Sequence, residues 1–303
     1  MKKHMVMIVG GYFPYASPTG KCAEQYISLI QENYDVDVIC IARINEDKYL
    51  YNDKNIYPVG CKQIFSLNNM AKKNNFLFLL KKLRIKIINL FHQPNNLYWY
   101  VKEAYRKLEE IHYEKPIDIV FSVGAPMASH CAANKFKDKY PEIRWVTYSV
   151  DSYAAQNNNK KKYILYEKNI LAKADFNFLS EEIYNNSSFL YINNREKFET
   201  LPYVLSINKN INSKTNIFES DKINLLYAGR FYKKIRNPKF LLELIKYLDD
   251  NVVLHLYCTS DCDKLIKKYV SSSNGKIVLH DMVSIEEINN LYMSADFLVS
   301  NAH

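Results

Sequence analysis

The chain has 303 residues, 48% of them hydrophobic, and single cores stop growing at roughly 250 residues, so two packed domains are expected. Seven glycines and nine prolines are too few for a collagenous or low-complexity chain, and no run of about 18 uncharged apolar residues offers a membrane span. The net charge of +9 is concentrated between Lys62 and Lys107, where ten Lys or Arg meet one acid, Glu103, a patch suited to anionic lipid, nucleic acid or an acidic acceptor.

The opening predicts a strand from His4 to Val9, a loop from Gly10 to Gly20, a helix from Lys21 to Glu32 and a strand from Val36 to Ala42, a βαβ start. Met5 to Val9 is too short for a signal-peptide core. Six cysteines, Cys22, Cys40, Cys61, Cys131, Cys258 and Cys262, form no C-x-x-C pair, which fits a reducing cytosol. In Tyr12 to Cys22, backbone N–H groups at the helix start suit a phosphate, and Gly20 allows close approach. A P-loop is excluded, since Tyr15 stands where glycine is required and Cys22 replaces the Ser or Thr. The same residues also suit a surface turn closed by glycine. Asp35-Val36-Asp37 matches a D-x-D metal motif literally, but its place at a strand start reads as a turn, and no metal is expected.

Within the basic stretch, Phe76, Leu79, Leu80, Leu83, Ile87, Leu90 and Phe91 recur on one helical face, surrounded by Lys72, Lys73, Lys81, Lys82, Arg84 and Lys86. Such a helix packs on a sheet or faces an anionic membrane surface. No nucleic-acid-binding motif accompanies it, and no nucleic-acid partner is expected.

Strands at Ile117 to Val123, Arg144 to Ser149 and Asp175 to Leu179 then alternate with helices near Ala128 to Lys139, Lys160 to Ala172 and Glu181 to Asn186, a pattern of parallel, doubly wound α/β sheets. Ser122 to His130 and Trp145 to Asp151 follow or end strands, where α/β crevices form. His130 is a candidate donor to a sugar hydroxyl or phosphate, and Asp151 a candidate acceptor or base. Each also suits a helix start or cap.

A polar stretch, 206 to 222, reads as a linker between a first domain, 1 to 205, and a second, 223 to 303. The second alternates strand Ile223 to Ala228, helix Pro238 to Leu248, strand Val252 to Tyr257, helix Asp261 to Val270, strand Lys276 to Leu279, helix Ile285 to Met293 and strand Phe297 to Ser300. Ending on a strand leads us to expect an incomplete second domain, and little turnover from residues 1 to 303. A glycine turn at Gly229 followed by Arg230, Lys233, Lys234 and Arg236, with Pro238 opening a helix, suits a diphosphate. A solvated basic loop is the alternative.

The order of GYFPYASPTG, S-x-G-x-P-x-x-x-H, WVTYSVD, Glu167 with AKAD, LPYV, AGRFYKKIRNP and SIEEINNLYMSAD resembles family 4-like glycosyltransferases of the GT-B fold, over nearly the whole chain. The resemblance implies two Rossmann-like domains and metal-independent, retaining transfer from a nucleotide diphosphate sugar, the co-substrate, with no other cofactor. Gly20 would then offer backbone N–H to the donor phosphate. Arg230, with Lys234 or Arg236, would neutralise the leaving diphosphate, and His130 and Asp151 would line the sugar and acceptor side. Ile235 occupies the place where many members carry a Lys, and the family's acidic donor motif, which follows the last strand, has no counterpart up to His303. The expected role is transfer to a lipid-linked or polysaccharide acceptor in envelope synthesis, in the cytoplasm at the inner face of the membrane. The alternative is an inactive remnant that binds a membrane surface or a glycan.

Overall fold

A computed structural model describes residues 2–12, 18–41, 55–59, 83, 97–202, 217–233, 236–283 and 285–300, which fall in two units, Met1–Ser206 and Ile207–His303. Unit 1 holds β1 (Lys3–Ile8), α1 (Pro18–Ile30), β2 (Tyr34–Ile41), β3 (Ile56–Val59), α2 (Tyr98–Glu114), β4 (Ile119–Val123), α3 (Ala128–Lys139), β5 (Arg144–Ser149), α4 (Tyr153–Gln156), α5 (Lys161–Leu171), β6 (Phe176–Leu179), α6 (Glu181–Asn186) and β7 (Phe198–Thr200). Its seven strands form one parallel sheet in the order β3-β2-β1-β4-β5-β6-β7.

Burial on both faces explains why β1 and β4 are almost continuously apolar. Successive side chains of a strand point to opposite faces. Val6 and Ile8 therefore pack with Tyr100, Ala104 and Leu108 of α2 and Ala132 and Phe136 of α3, while Met5 and Met7 pack with Cys22, Ala23 and Tyr26 of α1.

Helix α1 begins at Pro18, three residues before the start expected at Lys21, because proline's fixed φ and missing N–H suit the first helical position. Gly20 thus lies inside the first helical turn, not in the loop. Helix α2 has no counterpart in the sequence reading, although its buried Tyr100, Val101, Ala104, Leu108 and Ile111 carry the helical period.

Three aspartates fix register by one device. Asp118, Asp175 and Asp296 each directly precede a parallel strand. Their N–H groups donate to the carbonyls of His4 (2.9 Å), Trp145 (2.9 Å) and Asn224 (3.0 Å), and their carboxylates accept the N–H of the same residues at 2.7, 2.7 and 2.8 Å. Each carboxylate satisfies a strand-end donor that the ladder leaves open, and a one-residue slip would lose both bonds.

Unit 2 comprises β8 (Ile223–Phe231), α7 (Lys239–Leu244) continued by a 3-10 turn (Ile245–Tyr247), β9 (Val252–Ser260), α8 (Asp263–Ser272), β10 (Ile277–His280), α9 (Ile285–Ser294) and β11 (Phe297–Leu298). The sheet is parallel, in the order β10-β9-β8-β11. The glycine turn expected at Gly229 is absent: β8 stays paired with β9 through Phe231 and Ser260. Tyr227, Gly229 and Phe231 share one face, and the two rings stack at 4.1 Å. A Cβ on Gly229 would sit 3.3 Å from the Tyr227 hydroxyl, so this glycine makes room for the aromatic stack, and the strand runs on.

Candidate functional site

Both sheets reverse strand order at one point, between β1 and β4 in unit 1 and between β8 and β11 in unit 2. The crevice outside the carboxyl ends of such strands is where α/β folds take ligands.

In unit 1 this edge is tightly built. A Cβ on Gly10 would lie 2.4 Å from Pro126 Cδ, and one on Gly124 would lie 2.5 Å from His130 Nε2. Neither position has room for a side chain. Thr19 Oγ1 donates to the Ala125 carbonyl (3.3 Å), tying the first turn of α1, where Gly20 is buried, to the loop after β4. Ala125 holds φ at 66°, a left-handed conformation that costs a non-glycine residue roughly 1 kcal/mol.

His130 lies at the start of α3 and is 1% exposed. The Trp145 indole N–H donates to Ser122 Oγ (2.8 Å). Ser122 Oγ also lies 2.8 Å from His130 Nδ1, and His130 Nε2 lies 3.2 Å from Ser149 Oγ. Burial pushes the His130 pKa down to about 3, so the ring is neutral at physiological pH, and both nitrogens are taken by serines. The structure makes His130 an interior strut beneath the crevice floor.

Asp151 is exposed beyond the end of β5, where the chain enters α4. The next turn is held by Glu167 of α5, 1% exposed. Its carboxylate accepts from Ser152 Oγ (2.9 Å), Tyr153 N–H (2.9 Å) and Ala154 N–H (2.8 Å). Asp151, Glu167, His130, Ser149, Gly124 and Tyr153 line a recess of about 10 Å³, room for one water at most. Glu167 stands in the motif order quoted above, but its partners lie 13 to 15 residues upstream, beyond what helical spacing reveals.

In unit 2, Arg230 is exposed near the carboxyl end of β8. Its guanidinium lies 3.3 Å from Asp261 Oδ1 and 4.9 Å from the centre of the Tyr232 ring. The following turn closes on itself, with Tyr232 and Arg236 exchanging two backbone bonds of 3.1 Å, which sets exposed Arg236 opposite Tyr232. Lys234 lies outside the described residues, as do Lys72, Lys73, Lys81, Lys82, Arg84 and Lys86.

Asp35 and Asp37 lie within β2, which begins at Tyr34, and not in a strand-start turn. Asp37 accepts from His4 Nε2 (2.9 Å) and Asp35 pairs with Lys115. Among the described residues, no helix is long and apolar enough to cross a membrane.

No protein-family model matches the chain, and no curated protein matches it in sequence. Solved structures do share its fold. A glycosyltransferase from Rickettsia africae ESF-5 aligns with 99% of this chain and 73% of its own, at 14% identity and a TM-score of 0.62. HepE of Anabaena in complex with UDP aligns with 98% of this chain and 73% of its own, at 10% identity and a TM-score of 0.66. A UDP-N-acetylglucosamine 2-epimerase from Rickettsia bellii aligns with 100% of this chain and 75% of its own, at 12% identity and a TM-score of 0.55. The chain has the α/β GT-B fold of two Rossmann-like units, each with a parallel sheet.

Proposed function

We propose that the chain is a GT-B glycosyltransferase, of the family 4-like kind, whose second unit takes the diphosphate of a nucleotide-sugar donor. The observation that carries this is the placement of exposed Arg230 at the carboxyl end of β8, beside the strand-order reversal, with exposed Arg236 on the turn that follows. HepE, of the same fold, has been solved with UDP-glucose. Arg230 then meets the charge of the leaving diphosphate, with Arg236 or Lys234 as the second cation and no metal, in transfer that retains the anomeric configuration. Gly20 and the loops after β1, β4 and β5 belong to the crevice of unit 1, where Asp151 is the exposed carboxylate available to an acceptor hydroxyl of a lipid-linked or polysaccharide glycan. His130 supports that floor from beneath. The basic 72–86 stretch, in this proposal, keeps the protein at the inner face of the membrane.

The Arg230–Asp261 contact is between half-exposed groups, an ion pair worth little in water, so a diphosphate displaces it readily. Titration calorimetry with UDP and UDP-glucose is expected to show binding that Arg230→Ala weakens about 10- to 100-fold, the worth of a charge-assisted bond to phosphate. Unchanged affinity would remove Arg230 from the site.

The likeness to the Rickettsia bellii protein favours a second reading, epimerisation of a nucleotide sugar. Inversion at C2 of UDP-N-acetylglucosamine without any acceptor, followed by NMR, would establish it in place of transfer.

A further inference from the structure

We propose that the outer face of the helical segment 239–247 in unit 2 is an interfacial surface that seats on an anionic lipid bilayer. Its inner face is fully used: Leu241, Leu242 and Ile245 are buried against Tyr227, Phe231, Leu254 and Leu256 of β8 and β9. Its outer face carries a second apolar stripe with no part in that core. Phe240, Leu244 and Tyr247 are 73%, 40% and 84% exposed, and their i, i+4, i+7 spacing sets them in one row.

Cations outnumber acids beside the row, and exposed Asp249 and Asp250 follow its end, where Asp250 pairs with Lys276 (2.8 Å). Lys239 and Lys246 are exposed on the same segment. Helix α8 packs alongside, its Tyr269 hydroxyl donating to Glu243 Oε1 (2.9 Å), and adds exposed Lys264, Lys267 and Lys268. Against these five cations the two helical segments hold only Glu243 and Asp263, and Glu243 is already engaged by Tyr269 and by Lys239 (3.9 Å).

Chemistry selects the occupant. A nucleic acid would take the lysines but leave Phe240 and Leu244 in water. A second copy of the chain would set lysines against lysines. An anionic bilayer takes both: the apolar stripe enters the boundary between headgroups and acyl chains, Tyr247 suits that boundary through its apolar ring and polar tip, and the lysines meet the lipid phosphates.

The chain has two tryptophans, Trp99 and Trp145, both in unit 1, so Phe240→Trp in the full chain adds a local reporter on an exposed position. Phosphatidylcholine vesicles with phosphatidylglycerol should shift its added emission to the blue, and brominated acyl chains should quench it. Vesicles of phosphatidylcholine alone should do neither, and salt should weaken the effect. In co-sedimentation, the Phe240→Ser, Tyr247→Ser double variant should lose about tenfold or more in binding, since two large apolar side chains no longer leave water, and Lys239→Glu, Lys246→Glu in the Phe240→Trp background should weaken the blue shift on anionic vesicles. Vesicle binding without quenching of the added indole, undiminished binding of the serine variant, or no binding to anionic vesicles at low salt would overturn the proposal. A blue shift that appears without lipid and grows with protein concentration would assign the stripe to self-association and overturn it equally.

Discussion

Replacing His4 with phenylalanine is expected to cost unit 1 about 3–5 kcal/mol, the usual consequence of removing one partner of a buried ion pair. His4 is 3% exposed, and both its ring nitrogens face acceptors: Nδ1 the Pro116 carbonyl at 3.0 Å and Nε2 the Asp37 carboxylate at 2.9 Å. With Asp37 ionised neither partner donates, so both nitrogens then carry hydrogen and the ring is an imidazolium. Burial pulls its pKa down, but the Asp37 hydrogen bond and the Pro116 carbonyl outweigh burial and the net shift is upward. Phenylalanine fills the space and leaves Asp37, 8% exposed, without its cation. A raised folded-state pKa adds stability that is complete below the unfolded value of about 6.5 and is lost as pH rises through the folded value. Urea unfolding followed by tryptophan emission reads unit 1 alone, because Trp99 and Trp145 are its only reporters. The parent should weaken as pH rises above about 6.5 and His4→Phe should lack that decline. A variant as stable as the parent would show that the pair is not charged.

Glu167→Ala is expected to cost about 3 kcal/mol, since each buried donor left unsatisfied costs roughly 1–3 kcal/mol and three lose their acceptor together. Ser152 and Ala154 are 5% and 0% exposed, so water cannot replace the carboxylate without opening the turn. Burial pushes the Glu167 pKa up, against the pull of the two N–H donors and the Ser152 hydroxyl. Glu167→Gln keeps one acceptor oxygen and should recover about half of the loss. The same urea titration measures both variants, and hydrogen exchange in 151–156 should accelerate in the alanine form. Equal stability of Glu167→Ala and parent would remove the carboxylate from the framework that places Asp151.

The sheets were legible because parallel strands buried on both faces are apolar throughout. Helices α3 and α6 and strand β5 have the boundaries that alternation and caps predict. What was hidden depends on contacts across the sheet. Gly229 reads as a turn, and its use as the gap beneath the Tyr227–Phe231 stack becomes visible only once both rings are known to share a strand face. His130 beside Gly124 reads as a ligand-facing histidine, because Ser149 and Trp145, which enclose it, belong to the neighbouring strand. Arg230 was legible as a cation at a strand end, whereas its Asp261 partner comes from beyond β9. Helix α2 was masked by the charges of its outer face, although its inner residues keep the helical period.

The central claim, a diphosphate site at the carboxyl edge of β8, is tested most directly by hydrogen–deuterium exchange with and without saturating UDP-glucose. Slower exchange is expected in the segment from Ala228 to Arg236 and in the Cys258 to Cys262 segment that carries Asp261. Exchange at Asp118, at the amino end of β4 in unit 1, should not change. Protection confined to segments other than these, or no protection at any concentration of UDP or UDP-glucose, would contradict a donor site in unit 2.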